Sequence, residues 1–462
     1  MKRIAIIGGG ISGLSAAFTL EQRSASGVPL EYTLYESSPS FGGVLRTDRV
    51  EGCIVEAGPD SFLTEKPWAS DLCRQVGLGD QLIGSNDADR KTYILVKGRL
   101  VPIPDGLMFM VPTKVLPVVL SPLFSSATKL RMSHEWFHPP HKADTDESVA
   151  SLVNRHYGPE MVDYLADPLL AGVYGGEASQ LSVRAVLPRF AEMEAKYGSL
   201  GRAMLAARKK TSRASNAAAP PLFTSLKDGM QSLIEIVLKR LPASSLRPKT
   251  LVQALEPQDG GWLVSAGYGT DLFDAVVVAT PASAAASLLA NQPALASELA
   301  SIAYSSSVTA ALGFDQKVRA ALPPGFGFLV PRAENKRLLA ATFVHSKFPH
   351  RAPADRALIR CFLGGTRDGR VLQLPDDEIL RIVREELRQI LGLNAEPLFA
   401  RVYKWRDSMA QYRVGHLERL ERIERLRQQL PGLALAGNGY RGIGVPDCVR
   451  SGEEAAEQVL AQ

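Results

Sequence analysis

The chain opens with an unbroken apolar run, Ile4-Ala5-Ile6-Ile7, then Gly8-Gly9-Gly10-Ile11-Ser12-Gly13, then apolar residues at helical spacing, Leu14, Ala17, Phe18 and Leu20. A short continuous run bounded by glycines predicts a buried strand, and the spacing after it predicts a helix. Tyr32 to Tyr35 predicts a second strand. Strand, helix and strand of these lengths make a right-handed crossover, the opening unit of a parallel, doubly wound α/β sheet. Further on, Val149 to Tyr164 and Ala185 to Ala207 repeat apolar residues at helical spacing and predict a mainly helical insertion. A His-, Pro- and charge-rich stretch from Ser133 to Glu147 and an Ala-Ser-Pro-rich stretch from Thr211 to Pro221 bracket it as loops or linkers. Gly229-Met230 then predicts a turn opening a helix, and Ala275 to Ala279 a strand that returns to the first sheet. From Ser307 to Phe362, short alternating runs punctuated by prolines predict a separate sheet. A charged helix from His416 to Leu430, a strand from Leu433 to Ala436 and a helix from Val449 to Leu460 close the chain.

With 462 residues, two or three interleaved domains are expected. A net charge of +5, scattered along the chain, gives no argument for nucleic acid as a partner. Cys53, Cys73, Cys361 and Cys448 form no CxxC pair and no zinc or iron-sulfur spacing, so they read as buried thiols in a reducing compartment, with no metal expected. The N-terminal strand leaves no room for a cleavable signal segment, and a cytoplasmic protein is expected. The apolar window from Leu107 to Phe124 is broken by Pro112, Pro117 and Pro122, which excludes a spanning helix and leaves contact with a membrane face open.

Gly8, Gly10 and Gly13 form GxGxxG between a strand and a helix, the context in which that pattern carries meaning. Gly8 makes the turn, Gly10 lets a pyrophosphate approach the backbone, Gly13 packs helix on strand, and the amides about Ile11 and Ser12 face the phosphates. Glu36, with Ser37 beside it, ends the second strand where a carboxylate accepts hydrogen bonds from a ribose. A glycine turn without a ligand is the alternative. A second match at Gly437, Gly439 and Gly442 lacks a following strand and acid, so Gly442, Gly444, Val445 and Pro446 read instead as a loop and helix start facing a cofactor ring.

Gly42-Gly43-Val44 with Arg46 reads as a second tight turn over the pyrophosphate, and Gly58-Pro59-Asp60-Ser61 as the next close backbone pass. Here the chain resembles the FAD-binding family that contains amine oxidases, phytoene desaturases and protoporphyrinogen oxidases, a likeness continued at Asp228 to Leu233, at Ala279-Thr280-Pro281-Ala282 and in the C-terminal glycine loop. The resemblance also implies Val252 beside the adenine. Over nearly its whole length the chain is similar to the flavin-dependent porphyrinogen oxidases of haem synthesis, most specifically in Asp167 to Glu177, and also in Gly325 to Pro331 and Phe348 to Pro353.

That resemblance implies a doubly wound FAD-binding domain (1–75, 220–290 and 425–462), a mixed-sheet substrate domain (76–100 and 291–424) and the helical insertion (101–219). It implies non-covalent FAD, a porphyrinogen substrate and molecular oxygen, with hydride passing from a meso carbon to the flavin and no catalytic side chain. Gly172, Leu329, Thr342 and Phe362 would surround the tetrapyrrole, with Arg90 or Lys91 near a propionate. Leu329 and Phe362 read equally as core residues of alternating strands. Protoporphyrinogen IX is favoured over coproporphyrinogen III. An amine oxidase, a desaturase or a flavin-free binding protein on the same scaffold stays open. So do peripheral membrane contact, a homodimer and a neighbouring haem-pathway enzyme as partners.

Overall fold

The computed structural model describes residues 1–212, 220–267 and 269–462. In chain order its principal elements are β1 (Lys2–Ile7), α1 (Ile11–Ala25), β2 (Leu30–Tyr35), β3 (Thr92–Val96), β4 (Arg99–Pro102), α2 (Val115–Leu120), α3 (Ser126–Glu135), α4 (Val149–Tyr157), α5 (Asp167–Tyr174) and α6 (Pro188–Tyr197). There follow β5 (Leu246–Arg247), β6 (Ala275–Val278), β7 (Tyr304–Asp315), β8 (Gly327–Leu329), β9 (Leu338–Phe343), β10 (Arg356–Gly364), α7 (Asp376–Leu391), β11 (Phe399–Ala410), β12 (Leu433–Leu435) and α8 (Val445–Ala461).

The first sheet has the order β5-β2-β1-β6-β12, with every pairing parallel. Its central strands are apolar on both faces because both faces are covered. Ile4 and Ile6 pack with Leu14 and Val449 of α1 and α8, while Ala5 and Ile7 pack against Val252, Trp262 and Val264 of a three-stranded antiparallel meander. The doubly wound α/β architecture expected from the opening residues is therefore present.

The second sheet is mixed, with the order β11-β7-β10-β9-β8-β3-β4, and only β8 and β3 run parallel. The predicted alternation is there, but the strands are not all short: β7 has 12 residues and begins at Tyr304. β11, also 12 residues, has no counterpart in the sequence reading. In its run Arg401, Lys404, Arg406 and Asp407 interrupt the apolar residues without a strict alternation. It lies at the sheet's edge, where such charges are common, and only pairing with β7 defines it.

Helices α2 to α6 lie between residues 115 and 197, so helix is found where helical spacing was read, although it is broken at Gly158 and Gly198. Their core mixes apolar residues such as Leu152, Val153 and Met161 with a buried ionic cluster. His156 lies between Glu135 Oε1 at 3.2 Å and Glu194 Oε1 at 2.9 Å, and Arg155 joins Glu194 to Glu147. The stretch read as a loop from Ser133 begins inside α3, which runs to Glu135. Of the stretch Thr211 to Pro221, residues 213–219 lie outside the described residues, and Thr211 and Ser212 end a helix. Among the described residues no helix is long and apolar enough to cross a membrane. All four cysteines are free and buried.

Candidate active site

Helix α1 begins after Gly10, and no side chain caps its first turn. A Cβ on Gly10 would meet nothing within 4 Å, whereas one on Gly13 would stand 1.9 Å from the Gly8 carbonyl and one on Gly8 2.6 Å from the Ala279 carbonyl. Gly8 and Gly13 thus serve close packing, while Gly10 borders open space at the N-terminus of a helix that no side chain caps, an arrangement suited to a phosphate. Glu36 accepts from the Gly9 amide at 2.8 Å and from the Ser38 amide at 2.7 Å, with Ser37 Oγ at 3.4 Å. Carboxylate oxygens have further lone pairs, so Glu36 can still accept from ribose hydroxyls. These residues fit the adenosine diphosphate half of FAD, which when bound supplies a two-electron acceptor.

Three other segments converge on this turn. The Gly42 amide donates to Gly9 O at 2.8 Å, and Gly43, at φ +58°, has Gly10 Cα 3.4 Å from where its Cβ would be. Val44 O would stand 2.0 Å from a Cβ on Gly58, so the 42–46 and 58–61 passes interlock through backbone alone. Arg46 points outward, toward Asp48 at 3.4 Å and the Tyr403 ring. Val252 is buried beside Ile7 and Tyr35, and the Ala279 amide donates to Ile7 O, which brings Thr280 to the end of β1. In the C-terminal loop the Gly437 amide donates to Ser451 and the Gly442 amide to the Tyr412 hydroxyl at 2.9 Å, so neither is left to face a cofactor. No side chain caps the start of α8, where Gly444 leads into Val445 and Pro446.

The mixed sheet explains how the expected substrate residues are disposed. Leu329, Ala340, Phe362 and Thr309 are register partners in successive strands, and Gly327, Thr342 and Arg360 are register partners beside them. Register partners present their side chains to the same face. The other face, with Phe328, Ala341, Cys361 and Ala310, packs against Ile379, Val383 and Leu387 of α7. Leu329, Thr342 and Phe362 are each only partly buried, as residues on the face turned away from that core. Gly172 in α5 joins them, its Cβ position 3.8 Å from Leu329 Cδ2. Arg90 and Lys91 precede β3: Arg90 is half exposed and 3.6 Å from Asp87, and the Lys91 carbonyl accepts from the Phe326 amide.

Where the sheet meets the cofactor loops lies an ionic network that sequence reading missed. Arg351 contacts Glu56 at 2.5 Å and donates to Ser225 and to the Leu226 carbonyl. Lys347 reaches both oxygens of Asp60, at 3.1 and 3.2 Å, and Ser61 Oγ at 3.0 Å. Arg360 reaches Asp60 at 3.3 Å and donates to Gly58 O at 2.5 Å. Burial alone would raise the Asp60 carboxyl, but the Lys347 and Arg360 charges outweigh it and hold the group well below the usual carboxylate range. Asp60, expected to bind cofactor, spends its carboxylate on these cations. Phe348 to Pro353 contributed to the family likeness, yet nothing in that run showed that Arg351 faces Glu56 from 295 positions away.

The chain matches the family described as "Flavin containing amine oxidoreductase" over residues 11–460. It is 35% identical to a coproporphyrinogen III oxidase of Bacillus subtilis, covering 99% of this chain and 98% of that one. It is 29% identical to protoporphyrinogen oxidase 2, chloroplastic/mitochondrial, of Arabidopsis thaliana, covering 100% and 94% of the two chains. A solved structure from Exiguobacterium sp. 255-15, provisionally named a protoporphyrinogen oxidase, superposes with a TM-score of 0.89 at 31% identity, covering 100% of this chain and 99% of that one. Glycine turn, terminal acid, interlocked loops and full-length similarity agree: the chain belongs to the flavin-containing amine oxidoreductase family and is an FAD-dependent oxidoreductase.

Proposed function

We propose that this enzyme oxidises a porphyrinogen to the porphyrin in haem synthesis, with oxygen as the acceptor. The observation that carries the reading is the sheet face on which Leu329, Thr342 and Phe362 lie together, with Gly172 against Leu329 and the cofactor loop Gly58–Ser61 at one end through Arg360. A partly buried apolar floor closed by a glycine suits a flat tetrapyrrole, because a side chain at 172 would enter the space above Leu329. In a porphyrinogen the pyrrole nitrogens supply the electronic push at each meso carbon. The protein's part is then orientation and exclusion of water.

The sequence alone favours protoporphyrinogen IX. The relatives shift the preference to coproporphyrinogen III, since the Bacillus subtilis enzyme of that name is more similar than the Arabidopsis thaliana protoporphyrinogen oxidase. Two more propionates would call for more cations at the rim, and Arg90 and Lys91 are candidates ahead of β3. The residue assignments and the three-part division of the chain belong to this reading. So does peripheral membrane contact, supported by apolar side chains exposed on the insertion, among them Leu120 (73%) and Phe137 (78%). Sedimentation with lipid vesicles tests that contact.

The test of function is porphyrin fluorescence in air from FAD-loaded protein given coproporphyrinogen III or protoporphyrinogen IX in separate cuvettes. Faster fluorescence with the first supports the proposal, and the reverse moves the substrate to protoporphyrinogen IX. Silence in both overturns the porphyrinogen reading. Phe362→Ala should slow turnover while the protein stays yellow; unchanged kinetics would make Phe362 a core residue only.

A further inference from the structure

Five ionisable side chains meet where the mixed sheet touches the cofactor loops: Glu56, Asp60, Lys347, Arg351 and Arg360. Four of them are almost wholly buried, and the Asp60 side chain keeps 15% exposure. Three acceptor atoms surround the Lys347 nitrogen, which matches the three donors of an ammonium, and the guanidinium groups of Arg351 and Arg360 stay charged. Three cations therefore face two carboxylates. Arg351 is matched by Glu56, which leaves Lys347 and Arg360 sharing Asp60. The surplus positive charge lies on the Arg360 side, because Lys347 holds Asp60 with both oxygens while Arg360 has a single longer contact.

Arg360 is 2% exposed, and its buried Nε has no hydrogen-bond partner among the described residues. An uncompensated buried donor costs free energy unless something else uses it. The guanidinium touches both sides of the candidate site, donating to Gly58 O in the cofactor loop and lying 5.2 Å from the centre of the Phe362 ring. It stands on the same sheet face as Phe362 and Thr342.

We propose that Arg360 is a positioning residue for the flavin: it fixes the Gly58–Ser61 loop and supplies a buried positive charge that favours the reduced cofactor, which carries more negative charge than the oxidised one. Charge near the ring is one of the ways a protein adjusts flavin electronics, and a buried charge is screened less than an exposed one. Lys347 is the second source of the same charge, acting through Asp60. The inference rests on the placement of the cofactor at this loop and not on the identity of the substrate.

The experiment is anaerobic, dye-equilibrated reduction of FAD-loaded protein, comparing wild type with Arg360→Gln and Arg360→Lys. Arg360→Gln should shift the reduced-to-oxidised ratio at least tenfold toward oxidised at a fixed potential, a fall of about 30 mV for a two-electron couple. Arg360→Lys keeps the charge and should restore most of that shift. An unchanged potential in flavin-loaded Arg360→Gln, or an equal fall in both variants, overturns the proposal. Should Arg360→Gln not retain FAD, Lys347→Met takes its place with the same expected direction, and an unchanged potential there overturns it equally. No porphyrinogen enters the measurement, so a wrong substrate leaves it intact. A misplaced cofactor would show separately, as Gly10→Leu protein that stays fully yellow.

Discussion

Two buried ionic clusters, one at the junction of sheet and cofactor loops and one inside the helical insertion, solve the same problem with different chemistry. At the junction, Arg351, Arg360 and Lys347 face Glu56 and Asp60; burial lowers the pKa values of Lys347 and Arg360, and their charges in turn hold the Asp60 carboxyl down. In the insertion, the group between Glu135 and Glu194 is His156, with Arg155 and His138 beside it and Tyr157 next in the chain. Both ring nitrogens of His156 face carboxylate oxygens, and a neutral imidazole has only one N–H to offer. The geometry calls for the imidazolium. Burial works against that charge, but hydrogen bonds to Glu135 and Glu194 outweigh it and raise the imidazole's pKa, while both carboxyls are lowered. The junction pairs arginine and lysine with carboxylates, whereas the helical cluster is centred on an imidazole. A helical packing unit tolerates a titrating group.

The largest effect that would break this comparison is at the junction. Arg351→Met leaves Glu56 buried without its cation, and thermal and urea unfolding of the holoenzyme should show a loss of about 3–5 kcal/mol. His156→Gln should cost less, about 2 kcal/mol, because Arg155 still holds Glu194 while Ser199 and the Leu200 amide still hold Glu135. A loss equal to that of Arg351→Met would make the clusters equivalent.

A smaller effect comes from pH alone. His156 has its pKa raised in the folded protein, so its stabilisation is complete below the unfolded value of about 6.5 and is lost as pH rises through the folded value. Hydrogen exchange of α3 and α4 should therefore speed up, relative to β10, as pH passes upward through that interval, after correction for intrinsic exchange rates. Parallel behaviour of both regions would show that His156 does not carry the difference. The smallest effect expected is none: His156→Gln should leave the flavin potential where it is, in contrast to Arg360→Gln. A shift would mean that the insertion also acts on the cofactor.

How much was legible followed from how local each feature is. The strand, glycine turn, helix and acid of the cofactor end lie in one stretch ending at Glu36, and each part constrains its neighbour by sterics or hydrogen bonding. The C-terminal loop was legible as glycines before a helix, but not that Tyr412 would take the Gly442 amide, since that hydroxyl arrives 30 positions away. β11 stayed hidden because its apolar residues are interrupted by Arg401, Lys404, Arg406 and Asp407 without a strict alternation to read, and it lies at the sheet's edge.

By itself, then, the sequence determined the α/β class, the glycine turn between strand and helix, the helices between residues 115 and 197 and, through resemblance, the family. Those depend on short-range periodicity, on glycines whose backbone geometry is local, and on motifs read in order. Only the tertiary structure decided which face of the mixed sheet Phe362 and Thr342 share, where Asp60 turns, and that Arg360 meets Gly58 across 302 positions. Strand register and the pairing of buried charges are set by what packs across space, and a one-residue change of register would send every one of those side chains to the opposite face.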